Sequence, residues 1–355
     1  MDSGVARQPI ADLRKYAREL SGRLDPTANA LDAIMESVRA DRKRGVFAEG
    51  EEEKIVRAAV AFRNEGYGTP VLIGREERVR ATMDALGLGE ARGIEVHNAR
   101  LSRDNRKYAD FLYARLQRKG FLHRDCQRMV NQDRNVFAAC MVATGDADAM
   151  VTGLTRSTAV CLEDIGQAID TAPGCVSFGL TLMIGERGRT IFIADTLIHF
   201  RPSAEQMADI VIGSAEAARR LGHEPRVALL SHSTFGNYLH HTASVMRDAI
   251  ALLDARGVDF EYDGEMSPDV ALDESYRALY PFCRLTGPAN VLVMPGLHSA
   301  HITSRLAPRL GGGGAIGPLI IGLTHSVQLV PMGASVTHIV DIATLAAHQT
   351  LRRHV

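Results

Sequence analysis

The sequence predicts an α/β protein of two lobes, and three observations predict it. Short apolar runs recur at 45–50, 70–74, 149–153, 226–230, 290–295 and 319–321, most stopping at glycine or proline and that at 226–230 at a serine. Helical stretches alternate with them, the order that builds a parallel sheet flanked by helices. A hairpin-like pair, Val176–Met183 and Thr190–Ala194, then interrupts this order after the turn Pro173-Gly174, which reads as a hinge into a second lobe. A chain of 355 residues, 46% hydrophobic, is long enough to bury two such cores.

Taken in order, residues 1–41 read as a mostly helical arm. Pro26 breaks it, and Leu31, Ile34, Met35 and Val38 follow at helical spacing. Residues 45–50 form a strand closing in glycine. Glu51, Glu52 and Glu53 then favour the positive end of a helix dipole, and that helix runs to Gly66. Residues 70–74 and 94–96 are strands around a helix carrying Met83 and Leu86. Helices are expected over 105–119 and, unbroken, over 124–144. After the strand at 149–153 comes a helix at 159–171, and after the hairpin a helix at 204–221. The strand at 226–230 leads through Ser231–Gly236 to a helix at 243–255. Phe260–Tyr262 reads as a strand and Asp263-Gly264-Glu265 as a turn. A helix over 298–310 and a glycine connection over 311–314 lead to the last stretch. There Leu319–Ile321 is read as a strand, followed by a glycine turn, a polar loop and a helix opening at Ser335, whose hydroxyl can cap it.

With 41 basic and 42 acidic residues, net charge −1, the chain carries no overall footprint for nucleic acid. No apolar run approaches the ~20 residues of a membrane helix. The start has no secretory h-region, and the scattered cysteines Cys126, Cys140, Cys161, Cys175 and Cys283 form no CxxC pair. A cytoplasmic protein with free thiols is the expectation. GxGxxG after the first strand, GxxxxGK[ST], HExxH and GxSxG are all lacking. His240-His241 and His298 with His301 have no carboxylate at metal-site spacing. What remains is a set of strand-end loops, 152–158, 231–236 and 295–301, of the kind that offers backbone N–H groups to phosphate. The loop before the last helix is odd, holding Pro331, Met332 and Gly333 where chemistry is expected.

Laid out in this way, the chain from about Arg44 to its end resembles the phosphotransacetylase family. The resemblance is carried by Val151-Thr152-Gly153, Ile193-Ala194-Asp195 with Pro202-Ser203, and Ala228 to Thr234. Asp263-Gly264-Glu265, Asn290 to Pro295, and Gly317-Pro318 with Gly322-Leu323 complete it. Residues 1–10 resemble the end of a bacterial malic enzyme's nucleotide-binding domain, so the whole is similar to the C-terminal acetyltransferase-like domain of the hybrid NADP-dependent malic enzymes. The resemblance implies a three-layer α/β/α fold like that of isocitrate and isopropylmalate dehydrogenases. Lobe I would take 42–172 plus 321–355 and lobe II 173–320, after a linker at 1–41. It also implies an acetyl-CoA cleft between the lobes. Loops 231–236 and 329–334 would line it through Ser231, Ser233, Thr234, Gly236, Val330, Pro331, Met332 and Gly333, with Arg156 toward phosphate.

The family's catalytic serine–arginine pair falls on Pro331 and Met332, its base on His338 and its phosphate-binding arginine on Glu163. Neither a proline nor a methionine side chain can donate a charge-assisted hydrogen bond to an oxyanion, and an acid at 163 repels acetyl phosphate. The implied function is therefore a regulatory, inactive module. It would bind acetyl-CoA as an allosteric inhibitor of an attached malic enzyme domain, which would hold NADP and a divalent metal, in a homodimer or a hexamer built of dimers. A working phosphate acetyltransferase is the alternative.

Overall fold

The computed structural model describes residues 26–89, 92–185, 189–236, 241–311 and 313–351. Residues 1–25 of the expected arm, part of the turn at 185–188, and His240 of the histidine pair lie outside them. The first lobe opens with α1 (Pro26–Ala40), β1 (Lys43–Phe47), α2 (Glu53–Asn64), β2 (Gly68–Ile73), α3 (Glu76–Ala85) and β3 (Glu95–His97). It continues with α4 (Asn105–Leu116), α5 (His123–Gln132), α6 (Arg134–Ala143), β4 (Ala149–Thr152) and α7 (Thr158–Gly166). Then follow β5 (Phe178–Ile184), β6 (Thr190–Ala194), α8 (Ala204–Arg220), β7 (Arg226–Leu230), α9 (His241–Arg256) and β8 (Glu261–Met266). The chain closes with α10 (Pro268–Leu272), α11 (Glu274–Arg277), β9 (Val291–Val293), α12 (Leu297–Gly311), β10 (Gly314–Ile321), β11 (Ser326–Leu329) and α13 (Val336–Leu351).

The strands form two sheets, ordered β11-β4-β1-β2-β3 and β10-β5-β6-β9-β7-β8. Every pairing in the first is parallel. In the second, β6, β9, β7 and β8 are parallel, while β5 runs antiparallel to both β6 and β10. The period of 2 along a strand explains the layers. In the first sheet Phe47, Leu72 and Val151 face a core shared with Ile55, Ile339 and Ile342, whereas Val46, Val71 and Met150 face Tyr108, Phe137 and Cys140. In the second, Phe192, Val227 and Val293 meet α8 and α9 through Val211 and Met246, and Ile193, Ala228 and Leu292 meet Val270 and Ala300 on the other side. Each sheet is thus a three-layer α/β/α unit. Local chemistry sets the ends of the helices. At α8, Ser203 Oγ accepts from Gln206 N (3.3 Å) while Gln206 Oε1 accepts from Ser203 N (2.9 Å), a reciprocal cap.

The structure corrects the sequence reading at several places. The helix expected over 124–144 is broken, because Asp133 turns its carboxylate onto the N–H groups of Asn135 (2.8 Å) and Val136 (3.2 Å) and starts α6. Asp263-Gly264-Glu265 is not a turn but lies inside β8, paired with β7. The stretch read as a polar loop contains β11, buried throughout and the edge strand of the first sheet. The expected strand at 319–321 is the end of the longer β10, which carries Gly317-Pro318 at a register shift against β5. Two cysteines escape the core, with Cys175 exposed and Cys283 half-buried, while Cys126, Cys140 and Cys161 are buried.

The chain crosses between the sheets twice, and the crossings are bonded to each other. Ala172 N donates to Gly322 O (2.7 Å) and Thr324 N to Asp170 O (2.8 Å). Gly322 has φ +88°, and a β-carbon there would lie 2.4 Å from Val176 O, so the pair of crossings requires glycine. Behind them lies a cavity of about 600 Å³ lined by Gly174, Gly322, His325, Phe178, Arg220 and others; it includes none of the residues expected to bind ligand.

Candidate functional site

Parallel strands put their carboxyl-end loops on one edge, so the candidate residues collect at two edges, one per sheet. On the first sheet these are the loops after β1, β4 and β11. Glu49, fully buried after β1, accepts from Leu154 N, Thr155 N and Thr155 Oγ1, each at 2.7 Å, and fixes the loop after β4. Arg134 lies 3.8 Å from the same carboxylate and also donates to Thr155 Oγ1. Val330 N donates to Thr152 O (2.8 Å), bringing the loop after β11 against this one. Lys54, in the first turn of α2, donates to Ala334 O (3.0 Å).

The close approach of these two loops depends on Gly153, which has φ +110°. A β-carbon there would lie 2.5 Å from Val330 O. Gly153→Ala is expected to cost about 1–3 kcal/mol by strain and to displace residues 330–334. Denaturant titration of the variant checks the first effect, and ligand titration of the same preparation checks the second.

Arg156, expected to face phosphate, donates through Nη1 to both Asp133 (2.6 Å) and Asp164 (2.7 Å). Asp164 also accepts from Asn135 Nδ2 (2.9 Å), which in turn receives Thr152 Oγ1 through its own oxygen (2.7 Å). Burial alone would lower the Arg156 pKa; the two carboxylates outweigh it and raise it. A phosphate would compete with both for this cation. Glu163 is exposed on α7. Val330 is buried, Pro331 half-buried, Gly333 exposed and Met332 64% exposed, so the tip of the loop presents a thioether to solvent.

Ser335 Oγ accepts from His338 N (3.1 Å) and starts α13 as expected. One turn on, the His338 ring is half-buried and its Nε2 is sealed from solvent with no hydrogen-bond partner. Burial pushes this imidazole below its ordinary pKa, against the pull of Asp341, and pushes the Asp341 carboxyl up against the pull of His338.

The other candidate loop belongs to the second sheet. Ser231, Ser233 and Thr234 are buried after β7. Ser233 Oγ donates to Glu265 Oε1 (3.1 Å), as do Gly236 N (2.8 Å) and Arg247 Nη1 (3.0 Å), and Thr234 Oγ1 bonds Ser267 (3.1 Å). Glu265 Oε2, fully buried, has no partner. At the same sheet edge, after β6, Asp195 holds residues 197–199. The candidate set is therefore divided, with 330–333 at one sheet edge and 231–236 at the other. Sequence reasoning missed Glu49, Arg134, Lys54, Arg247 and Glu265 as site-building residues. Asp263-Gly264-Glu265 was visible as a motif, but its carboxylates gave no sign of being buried.

Among the described residues no cluster of three histidine, cysteine or acidic side chains could hold a metal ion, and no helix is long and apolar enough to cross a membrane.

Paired α/β/α units with polar loops at their strand ends define a two-lobed α/β protein whose site is built from loops. The chain belongs to the phosphate acetyl/butaryl transferase family, whose model matches residues 29–347. It is 51% identical over 349 residues to an NADP-dependent malic enzyme of Rhizobium meliloti, covering 98% of this chain but 46% of that protein. It is 32% identical to a phosphate acetyltransferase of Clostridium acetobutylicum, covering 91% of this chain and 98% of that one. Among solved structures it superposes on a phosphotransacetylase from Streptococcus pyogenes with a TM-score of 0.84 and 30% identity, over 91% of this chain and 98% of that one. The chain thus spans about half the length of the malic enzymes it matches and nearly the full length of the acetyltransferases.

Proposed function

We propose that this chain is an acetyltransferase-like regulatory module that binds acetyl-CoA without turning it over, and that it acts on a malic enzyme domain in the same longer polypeptide. One observation carries the reading: the loop after β11 keeps its place against the loop after β4, yet its tip is Pro331-Met332-Gly333. A frame retained without its donors is suited to binding. Regulation then requires acetyl-CoA to favour one arrangement of the lobes or subunits over another, and the two bonded crossings between the sheets are the part of the chain where such a change would be absorbed. NADP and a divalent metal would belong to the malic enzyme part, and the assembly would be a homodimer or a hexamer of dimers. The reading divides the chain into lobe I, 42–172 plus 321–355, and lobe II, 173–320.

Calorimetry of the purified chain with acetyl-CoA tests the binding half, with saturable heat at micromolar ligand expected. Absence of binding at high micromolar acetyl-CoA overturns the reading and leaves a purely structural role. Light scattering with and without acetyl-CoA reads whether assembly responds to it. The alternative, an active phosphate acetyltransferase, draws on His338 as the base, whose unpartnered Nε2 would have to be uncovered to take a thiol proton.

A further inference from the structure

The chain carries an exposed aromatic platform and an unpaired buried cation beside the 231–236 loop, and nothing in the site described above uses either. Phe235, in that loop, packs edge-on against Phe282 (ring centroids 5.0 Å, 70°) and tilted against Tyr280 (5.3 Å, 54°), while Tyr280 and Phe282 meet at 6.1 Å and 81°. The backbone fixes this trio. Phe235 holds φ +47°, with its N–H on Glu265 O (2.8 Å), and Tyr280 N donates to Arg277 O (2.9 Å). Rings packed edge-to-face leave a face free, and Phe282 is 65% exposed.

Arg277, one turn before Tyr280, is only 7% exposed, and its Nη1 is sealed with no partner. Among the described residues no carboxylate closes an ion pair with it. Asp273 is held by Ser275 (2.8 and 2.6 Å), and Asp263 by Gly264 N and Arg284 N (2.9 and 2.7 Å). Asp273 is near enough for its charge to be felt by Arg277 but closes no ion pair with it, and a buried guanidinium nitrogen left without an acceptor is costly and favours an anion. A purely apolar partner surface would cover the rings and leave that charge unanswered.

We infer that Phe235, Tyr280, Phe282 and Arg277 form a subsite for a phosphorylated purine nucleoside, the purine stacking on Phe282 and the phosphate meeting Arg277. This rests on the proposed acetyl-CoA reading and assigns the coenzyme's adenosine 3′-phosphate end to the second sheet's edge.

The test is calorimetry on the full chain with acetyl-CoA, its 3′-dephospho form and adenosine 3′,5′-bisphosphate. The wild type binds the bisphosphate alone, and Phe282→Ala weakens both it and acetyl-CoA by roughly tenfold, as the loss of a base-stacking ring does. Arg277→Gln abolishes the preference for acetyl-CoA over its dephospho form; Arg277→Lys, which keeps the charge, retains part of it. Melting curves confirm that each variant is folded. If the wild type binds acetyl-CoA and Phe282→Ala and Arg277→Gln bind it equally well, the subsite is refuted while the effector reading stands. If the wild type binds the bisphosphate with the expected Phe282→Ala loss but acetyl-CoA no more tightly, the subsite stands and the acetyl-CoA reading is refuted. If Phe282→Ala changes the mass by light scattering and leaves nucleotide binding intact, the platform is a protein contact and the inference is overturned.

Discussion

Incubated with acetyl-CoA and inorganic phosphate, the purified chain is expected to release CoA thiol no faster than a protein-free blank. Acyl transfer to phosphate needs donors aimed at the oxyanion that develops on the thioester carbonyl. The two loop positions that the family resemblance assigns to them hold Pro331 and Met332, and Met332 points to solvent at 64% exposure. Removing one such donor costs about 10²–10³ in rate, and here both are missing. The position that the resemblance gives to a phosphate-binding arginine holds Glu163, and Arg156 is already engaged by Asp133 and Asp164.

His338 stands where the resemblance puts the family's acidic base, a replacement like those at 163, 331 and 332. Burial keeps its pKa below the ordinary value, so the ring is neutral at pH 7 and able to accept a proton. A positioned base supplies about 10²–10⁴, which does not recover what the loop lacks. The assay is therefore decisive in either direction. Robust acetyl phosphate formation that is abolished in His338→Ala would establish the alternative, an active transferase working through a histidine base.

The general plan was legible because it is written in local pattern. Glycine- and proline-bounded apolar runs located most of the strands, and Ser335 announced its helix through a side chain that does cap it. The misses share a physical cause, which is polar residues buried by distant partners. Gln328 made β11 look like loop, yet its carboxamide accepts from Ile320 N (2.8 Å) and donates to Ile320 O (3.0 Å), stitching the two sheets together. Ser326 likewise donates to Ala346 O (2.7 Å). Asp263 and Glu265 suggested a turn by composition, and their burial is made possible by Arg284, Ser233, Gly236 and Arg247. Arg156 illustrates the same limit at the site. A lone arginine after a strand looks free until Asp133 and Asp164 are seen to close on it. The break at Asp133 is different, since an aspartate two residues before Asn135 is a local signal that the apolar periodicity of the surrounding helices masked.

Asp195→Ala is expected to lower the stability of the chain by about 3–5 kcal/mol at pH 7, the range for removing one side of a buried charged network. At about 2.1 cal/mol/K per residue this is a fall of roughly 5 °C in melting temperature for a chain of this length. The carboxylate is 2% exposed and accepts from Gly179 N (2.7 Å), Leu197 N (2.8 Å), Ile198 N (3.1 Å), His199 N (2.7 Å) and His199 Nδ1 (2.7 Å). Without it these donors lose their acceptor in the interior, and the loop after β6 that Leu297 N (2.8 Å) clasps through His199 O loses its anchor.

The pH dependence has a definite sign. Burial by itself would raise the Asp195 pKa, but the hydrogen bonds from His199 and from the backbone of Gly179, Leu197 and His199 outweigh it and hold the carboxyl below its ordinary value. A depressed folded pKa contributes stability that is complete above the unfolded value of about 3.9 and is lost as pH falls through the lower folded one. The gap between wild type and Asp195→Ala in denaturant titrations is therefore full at pH 7 and narrows as the pH drops below about 4. Asp195→Asn should fall between them, since one amide oxygen can still receive Gly179 and Leu197 while its NH₂ faces the His199 N–H. A variant Asp195→Ala within 1 kcal/mol of wild type, or a gap independent of pH, would show that the loop is held by packing and not by this charge.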